Sequence, residues 1–326
     1  MADRWIFDQD PQTNPSFGQY PKDRSLEQLL ECGVIAINKP PGPSSHQLAS
    51  WARDILGISR IGHGGTLDPF ATGLLTLLCG RATKLTDILL QKSKGYIAVI
   101  RFKNHINVNE IEKLLEKMTG EIYNVPPKES AVKIQVRSRN ISKLELIDYD
   151  VENRLINLRI ECDAGTYIRT LTNDLGLLLD SKCELLELHR HKSGKFNSSM
   201  ACTMQQLNDA AFLWKEHDDE RGMKKLIAPI ESILTELPRI VVKDGAVAAL
   251  SHGAPLARPG LVNAPKDINK DSQVILSSLK GEAVAVAKLI VDSNSLKSMD
   301  SGHVSTVETV MMNPGIYPQT WSKDKN

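Results

Sequence analysis

The sequence predicts a mixed α+β protein with a mainly antiparallel sheet and a second, smaller β-rich domain. The first observation is that candidate strands and helices are interspersed without the regular strand–helix–strand alternation of a doubly wound parallel sheet. The second is a change in composition near Pro238, after which short strands rich in valine, alanine and glycine recur between turns as far as Tyr317. A length of 326 residues fits this division, because a domain commonly holds about 150 residues.

The N-terminal part of the chain predicts an arm, a short strand and a helix. Residues up to Glu31 are polar and have no clear period, and we expect them to wrap around the protein or to hang free. The apolar run that starts at Gly33 indicates a strand that Pro40 ends. Ser45 is expected to cap the following helix, whose core face is formed by Leu48, Trp51, Ala52 and Ile55.

The middle of the chain predicts further strands and helices. Residues 96–102 indicate a strand, and residues 107–120 indicate a helix with capping-box spacing at its start. Alternation over residues 154–162 predicts a half-buried antiparallel strand, whose core side is formed by Ile156, Leu158, Ile160 and Cys162. A helix follows with Arg169 near its start, and another helix is predicted after Thr203.

Basic residues are concentrated in three segments although the total charge is near zero. The chain has 40 basic and 39 acidic residues, so its net charge does not indicate a polyanionic partner. An excess of basic charge lies in residues 81–103, 128–143 and 182–195. One such segment is commonly a solvated face, whereas three are harder to attribute to solvation alone.

Composition argues against several classes of protein. The five cysteines are scattered and form no C-x-x-C pair, so neither a disulfide framework nor a sulfur-ligated zinc site is supported. No apolar run approaches the roughly 18 residues of a membrane span, and the acidic N-terminus is unlike a targeting peptide. We therefore expect a cytoplasmic protein.

The glycine-rich segment 62–73 is the richest candidate for chemistry. Its glycines allow close approach to a ligand, and Pro69 biases Asp68 towards an extended conformation that presents the carboxylate. Residue types alone leave a second interpretation open, because an aspartate before proline is commonly a turn former. In the same way His63 is more commonly a structural histidine than a base.

Other catalytic motifs are absent from the sequence. The H-G-G string at residues 63–65 is similar to an esterase oxyanion loop, but no G-x-S-x-G nucleophile motif accompanies it. The sequence also lacks a P-loop, a dinucleotide-binding glycine motif, an H-E-x-x-H motif and an EF-hand loop. These absences argue against acyl transfer, nucleotide hydrolysis, dinucleotide redox chemistry and zinc hydrolysis.

Five motifs occur in an order that points to one family. They are KPPGPSSH, GHGGTLDPFATGLL with GRATKL, KGYIAV, VPPKESAVKIQVRSR and CDAGTYIRTLTNDLG. In this order the chain resembles the TruB/dyskerin family of RNA pseudouridine synthases. The closing segments RIVVKDGAVAALSHGAPLARPG and KGEAVAVAK are similar to the PUA domain of its archaeal and eukaryotic members.

The resemblance implies a domain organisation and a reaction. It implies an N-terminal arm over residues 1–32, which packs on the PUA domain in relatives, and a catalytic domain of the pseudouridine-synthase type over residues 33–237. A small β-barrel-like PUA domain is implied over residues 238–320. The family's reaction breaks the N-glycosidic bond of a uridine, turns the uracil and rejoins it through carbon, and it uses no metal or organic cofactor.

The resemblance also implies the catalytic residues. Asp68 corresponds to the essential aspartate of the family, and its role stays open between attack on the sugar and removal of a sugar proton. Arg169 corresponds to the arginine that keeps this carboxylate ionised and oriented. Tyr96 corresponds to the tyrosine that stacks on the target base, and Leu188 to an apolar residue on another side of the base. Without the resemblance, a tyrosine on a strand is more simply interpreted as core packing.

The target uracil must leave the RNA stack to meet Asp68, so we expect a pocket for a flipped base. His63 is implied to contact RNA or to fill the space that the base leaves. The neighbouring residues of its loop, Gly64, Gly65 and Thr66, are expected to contact the substrate.

Seven further residues are expected to bind RNA, either through phosphates or through turns of the PUA domain. These residues are Lys39, Arg137, Arg139, Arg190, Lys192, Gly253 and Gly260. Lys39 also has the place of a structural residue that supports the catalytic loop, and plain turn chemistry is the alternative for the two glycines. Relatives carry an arginine-rich version of segment 188–194, so the histidines of LHRHKSG predict more pH-dependent binding there.

Three functions follow from these expectations. The favoured one is guide-RNA-directed modification of ribosomal RNA within a box H/ACA ribonucleoprotein, with a guide RNA and small protein subunits as partners. The alternative in the same class is a stand-alone enzyme that acts on the T-loop of transfer RNA. The third is a non-catalytic RNA-binding scaffold, which would not need Asp68, Tyr96 and Arg169 together.

Overall fold

The computed structural model describes residues 3–127 and 134–319, which divide into two compact units. The central unit comprises Ile35–Leu78 and Leu85–Leu226. The terminal unit combines the N-terminal residues up to Val34, the short segment Cys79–Lys84 and the residues from Ile227 onward. The described residues near both ends of the chain, from position 3 and as far as position 319, therefore belong to one compact unit.

The α-helices are α1 (Leu26–Glu31), α2 (Ser45–Leu56), α3 (Thr86–Leu90), α4 (Val108–Met118), α5 (Ile168–Leu178), α6 (Met204–His217), α7 (Arg221–Leu226) and α8 (Asp244–Ser251). The strands are β1 (Arg4–Ile6), β2 (Gly33–Lys39), β3 (Ile61–His63), β4 (Thr72–Cys79), β5 (Lys94–Phe102), β6 (Gly120–Asn124), β7 (Arg137–Asp150), β8 (Leu155–Cys162), β9 (Cys183–Ser193), β10 (Phe196–Asn197), β11 (Ile227–Pro229), β12 (Arg239–Val242), β13 (Leu256–Ala257), β14 (Leu261–Pro265), β15 (Gln273–Ser277), β16 (Ala283–Leu289) and β17 (His303–Val310).

The central unit is built on a mixed sheet in the order β2-β4-β9-β5-β8-β7-β6. Strands β5 to β9 pair antiparallel with one another, whereas β4 pairs parallel with β9. The prediction of a mixed α+β fold with mainly antiparallel pairing is therefore confirmed.

The core of this unit follows from the alternation seen in the sequence. Ile156, Leu158 and Ile160 of β8 are buried on one side of the sheet. They form one apolar cluster with residues of α4 and α5, among them Ile111 and Leu171. Burial of these apolar faces is what holds the helices on the sheet, because short helices gain most of their stability from packing.

Helix α2 differs from its prediction at both its start and its core face. Its N-cap is Ser44, whose side chain accepts from the Gln47 amide in a capping box, so the prediction of Ser45 as the cap was wrong by one residue. The predicted core residue Trp51 is half exposed, because the buried stripe of the helix is formed by Leu48, Ala49, Ala52 and Leu56.

The terminal unit contains a second sheet, in the order β1-β14-β12-β15-β16-β17-β13. Strand β1 pairs antiparallel with β14, so the N-terminal residues form an edge strand rather than a free arm. Lys280 further holds this segment by donating to backbone oxygens of Asn14, Pro15 and Gly18. Across residues 3–127 and 134–319, no helix combines the length and the apolar character needed to cross a bilayer.

Candidate active site

An ion pair between Asp68 and Arg169 forms the centre of the candidate site. Arg169 Nη2 donates to Asp68 Oδ2, although the two residues are 101 positions apart in the sequence. The Asp68 side chain is 41% exposed and that of Arg169 is 34% exposed, so a substrate can still reach the carboxylate. The structure thus brings together the two charged residues that the sequence analysis singled out.

Lys39, at the end of β2, holds the backbone that follows Asp68. It is fully buried, and its Nζ donates to Pro69 O at 3.0 Å, to Ala71 O at 2.7 Å and to Pro40 O at 2.9 Å. Burial lowers the pKa of Lys39, while the nearby Asp68 carboxylate opposes this shift. The buried ammonium therefore ties the turn after Asp68 to the end of β2.

Ser45 holds the backbone that precedes Asp68. Its buried hydroxyl accepts from the Leu67 amide at 2.9 Å and donates to the Leu67 carbonyl at 3.2 Å. A further bond from the Ala71 amide to the Asp68 carbonyl, at 3.1 Å, closes the turn. The aspartate is thus fixed on both sides by groups that have no contact with solvent.

Arg190, on β9, supports the glycine-rich part of the same loop. It is only 2% exposed, and it donates to Leu74 O at 2.8 Å, to Gly65 O at 3.0 Å and to Thr66 O at 3.4 Å. This burial corrects the expectation that Arg190 binds RNA. Fully buried Lys39 requires the same correction. Neither cation can reach a phosphate, and each instead satisfies carbonyl groups of the loop that carries Asp68.

The glycine at position 73 is required where β4 runs beside β9. Gly73 has a φ of +98°, and a Cβ atom there would lie 2.4 Å from Arg190 O. Both the backbone conformation and the close approach of the strand exclude a larger residue. This contact sets the register Thr72–His189 and Gly73–Arg190, which places the Arg190 side chain against the loop.

Tyr96 and Leu188 lie in the apolar cluster that adjoins the aspartate. Both are buried, and the cluster also includes Leu67 and Ala71 from the loop that carries Asp68. Burial raises the pKa of Tyr96, partly offset by the Arg190 guanidinium, so the phenol stays protonated at neutral pH. The structure therefore places an aromatic and an aliphatic residue next to the loop that carries the carboxylate.

His63 ends β3, five positions before Asp68. Its ring makes an edge-on contact with the His46 ring, with the centroids 4.7 Å apart. Burial, reinforced by His46 and Arg190, lowers the pKa of His63 to about 4, so the imidazole is neutral at neutral pH. Its Nδ1 is buried and has no hydrogen-bond partner among the described residues.

Of the three residues that follow His63, only Thr66 is exposed. Gly64 and Gly65 are buried, and a Cβ atom on Gly64 would lie 2.9 Å from Leu89 Cδ1. The small size of Gly64 therefore serves packing against Leu89, whereas Gly65 has a φ of +124°, which favours glycine. The expectation that both glycines contact substrate stays a prediction.

Asn124 and Thr170 hold the other side of the ion pair, and the sequence analysis missed both. The Asn124 side chain accepts from the Tyr167 amide at 2.8 Å and donates to the Tyr167 carbonyl at 3.2 Å. Thr170 Oγ1 donates to Val125 O at 2.7 Å. These bonds fasten the first turn of α5, on which Arg169 stands, to the end of β6. The sequence signal that could have indicated Asn124 is a short polar residue directly before the V-P-P segment.

The remaining basic candidates differ in their surroundings. Lys192 is paired with Glu161 at 2.8 Å, Arg137 is exposed and Arg139 is partly buried. Lys128 and Lys133 of the second basic segment lie outside the described residues. Gly253 and Gly260 lie in the terminal unit, where Gly253 is exposed in a turn and a Cβ atom on Gly260 would lie 2.8 Å from Ala246 Cβ.

The two histidines of segment 188–194 are neutral at neutral pH, because burial lowers the pKa of both below its ordinary value of 6.5. His189 Nδ1 shares a hydrogen bond with Thr72 Oγ1 at 2.9 Å. Within the described part of the chain, no group of three histidine, cysteine, aspartate or glutamate residues is arranged to hold a metal ion.

Four family descriptions match the chain. Residues 53–168 match the TruB family pseudouridylate synthase (N terminal domain), and residues 169–235 match the tRNA pseudouridylate synthase B C-terminal domain. Residues 238–311 match the PUA domain, and residues 2–49 match the DKCLD (NUC011) domain.

Relatives and solved structures extend this similarity to nearly the whole chain. "Probable tRNA pseudouridine synthase B" of Methanosarcina barkeri is 40% identical over 95% of this chain and 91% of that protein, and its namesake of Archaeoglobus fulgidus is 38% identical over 97% of each. A structure of an H/ACA RNP bound to a substrate RNA containing 2′-deoxyuridine is 33% identical, with a TM-score of 0.91 over 98% of each chain. A Cbf5-Nop10-Gar1 complex is 35% identical, with a TM-score of 0.90 over 98% of this chain and 96% of that one. The chain therefore belongs to the TruB family of pseudouridylate synthases.

Proposed function

We propose that the chain converts specific uridines in RNA into pseudouridine, as the catalytic subunit of a guide-directed box H/ACA ribonucleoprotein that acts on ribosomal RNA. One observation carries the proposal. Asp68 is accessible, paired with Arg169 and placed on a loop next to Tyr96 and Leu188. A non-catalytic scaffold would have no need of this arrangement.

The reaction is an isomerisation within one nucleotide. The bond between the sugar C1′ and uracil N1 breaks, the base turns, and a bond forms between C1′ and C5. The proton on C5 is lost and N1 gains a proton, so atoms and charge balance without a redox partner or a hydrolytic water.

Asp68 supplies the reactive carboxylate in this proposal. It either attacks C1′ as a nucleophile or removes a proton from the sugar, and both roles need an ionised carboxylate that is held still. Arg169 meets the second need, because its ion pair with Asp68 limits rotation of the carboxyl group.

Tyr96 and Leu188 would contact the flipped uracil on two sides. The neutral phenol of Tyr96 offers an aromatic face to the base, and Leu188 offers an aliphatic surface. His63 and Thr66, on the same loop as Asp68, would contact the nucleotides next to the base.

The assignment of partners draws on the similar proteins. The H/ACA RNP structure contains a substrate RNA, and the related complexes are named for Nop10 and Gar1. We accordingly propose that residues 33–237 carry catalysis and that residues 238–320, through turns at Gly253 and Gly260, grip RNA, with Arg137, Arg139 and Lys192 as further RNA contacts. The proposed compartment is the cytoplasm. The names of the curated relatives favour transfer RNA as a second candidate substrate.

The test compares wild type with Asp68→Asn on two substrates. One is a uridine-labelled transfer RNA, and the other is a ribosomal fragment with a matching guide RNA and H/ACA proteins. We expect wild type to form pseudouridine in the guided reaction, and we expect the variant to lose at least about a thousandfold in turnover while it binds RNA normally. Equal turnover would remove Asp68 from the mechanism, and binding without conversion of either RNA would favour the scaffold.

A further inference from the structure

The position of Arg169 depends on what holds the first turn of α5. Tyr167 stands at the N-cap position of this helix with an extended backbone, and its own side chain makes no capping hydrogen bond. Because an arginine side chain has several rotatable bonds, the pair with Asp68 forms reliably only if the backbone at position 169 is fixed.

The Asn124 side chain makes the contact that fixes the backbone at the start of α5. Its side chain is at the end of β6, is only 2% exposed and bonds to both polar groups of the Tyr167 backbone, two residues before Arg169. The Tyr167 carbonyl also accepts from the Leu171 amide within the helix, at 3.1 Å. One amide side chain thus joins the start of α5 to the neighbouring strand.

Thr170 adds a second link on the other side of Arg169. Its hydroxyl donates to the Val125 carbonyl at 2.7 Å, so the residues tied down are Tyr167 and Thr170, one helical turn apart. Both links end on adjacent residues of one segment, Asn124 and Val125, so displacement of that segment would displace Arg169 as well.

The chemistry of asparagine suits this place. The side-chain amide can donate and accept at the same time, whereas aspartate at neutral pH can only accept. Asn124 is buried, so its side chain is not placed to contact RNA, and the two bonds that it makes lead to the backbone of α5.

We propose that Asn124 is a positioning residue for the pseudouridylation reaction, which holds the first turn of α5 so that Arg169 meets Asp68. The inference rests on the proposed function. It assigns Asn124 no contact with substrate and no part in RNA binding.

The experiment measures kcat and KM for Asn124→Ala, Asn124→Asp, Arg169→Ala and the double variant Asn124→Ala/Arg169→Ala. We expect Asn124→Ala to lower kcat by about 10- to 100-fold and to change KM by less than about threefold. Asn124→Asp keeps an acceptor for the Tyr167 amide but sets a buried carboxylate oxygen against the Tyr167 carbonyl, so kcat should fall in this variant as well. In the Arg169→Ala background the Asn124 substitution should add less than about twofold.

Asn107→Ala serves as the matched control. Asn107 accepts from the Asn109 amide at the start of α4, so its loss also removes a bond between a side chain and the backbone, but this bond is local to α4 and does not hold α5. The kcat of Asn107→Ala should stay within about twofold of wild type even if the unfolding temperature of this variant falls. A loss of kcat as large as that of Asn124→Ala would indicate general destabilisation and overturn the proposal.

Hydrogen exchange at the Tyr167 amide provides a readout that is independent of activity. Asn124→Ala should accelerate this exchange while amides of β8 stay protected. Unchanged exchange, an unchanged kcat, or an equal further loss in the Arg169→Ala background would each refute the positioning role. If wild type converts no uridine in any RNA, the proposed function fails, and the exchange rate alone then decides whether Asn124 fixes α5.

Discussion

Asp68 and Arg169 meet in one ion pair, but the regions that carry them are held by different kinds of contact. The loop that carries Asp68 is held by two buried cations and a buried hydroxyl, from Lys39, Arg190 and Ser45. The turn that carries Arg169 is held by two neutral side chains, Asn124 and Thr170. A buried cation is costly to place unless acceptors surround it, and here carbonyl groups of the loop supply acceptors, so the loop and its supports must form together.

This difference predicts that substitutions under the Asp68 loop and substitutions at the start of α5 have different effects. Loss of a cation under the loop removes the donor that several carbonyl groups share, which weakens folding of the central unit. Loss of a neutral link at α5 leaves a helix that still packs through its apolar face, but it loosens the arginine. We expect stability effects on the Asp68 side and catalytic effects on the Arg169 side.

Arg169→Ala provides the strongest test on the catalytic side. Without the guanidinium the Asp68 carboxylate loses its orientation, so kcat should fall by about 100- to 1000-fold. RNA affinity should change by less than about threefold, because the arginine is engaged with Asp68 rather than with phosphate. Single-turnover conversion and filter binding on the same RNA measure the two quantities. Equal losses in turnover and affinity would contradict the orienting role.

Arg190→Met tests the loop side. The substitution keeps an unbranched apolar chain but leaves the buried carbonyls of Leu74 and Gly65 without their donor, so the free energy of unfolding should fall by about 3 kcal/mol. Thr170→Val, which removes one neutral hydrogen bond at α5, should cost about 1 kcal/mol. Urea unfolding of both variants makes the comparison. If Arg190→Met costs no more than Thr170→Val, the guanidinium does not hold the loop.

Lys94 predicts a smaller, pH-dependent effect next to the same loop. It is buried, its Nζ donates to Leu89 O at 3.0 Å and Lys92 O at 2.9 Å, and burial together with Arg190 lowers its pKa to about 7 from 10.5. Between these two values the unfolded chain binds more protons than the folded chain, so stability rises with pH across this window and is lowest below it.

Between about pH 7 and about pH 8.5 the free energy of unfolding should therefore increase by roughly 1 to 2 kcal/mol. The buried thiols of Cys32 and Cys79 act in the opposite direction at higher pH, because burial raises their pKa from 9.0 to about 11 and about 12. Lys94→Met should abolish the rise, as measured by urea unfolding at the two pH values. An identical rise in this variant would assign the effect to another group.

Regular elements with a clear apolar period could be predicted from the sequence. The strand with buried Ile156, Leu158 and Ile160 was confirmed, and so was the helix that follows Thr203 with its capping box. Helix α2 shows where such reasoning stops, because the exposed Trp51 fits the same period as its buried neighbours. Periodicity gives a face of a helix, but the width of the buried stripe depends on what packs against it.

In the candidate site, too, some residues could be predicted from the sequence and others could not. Motifs in the sequence were sufficient to select Asp68, Arg169, Tyr96 and Leu188, which the structure places in or next to one loop. Residue type suggested that Lys39 and Arg190 face RNA, since lysine and arginine are rarely buried. Both are buried because carbonyl groups of the loop surround them, and no local pattern in the sequence reveals that environment.

Local chemistry written in the chain thus decided which residues can react and where strands and helices form, since these properties depend on neighbours within a few positions. The tertiary structure decided which charged side chains are accessible to a substrate and which are buried and donate to backbone carbonyl groups. Asp68 and Arg169 meet across 101 residues, and Asn124 reaches Tyr167 across 43, because strand pairing in the central sheet brings these segments together. Such contacts arise from the packing of whole elements, which residue spacing along the chain does not encode.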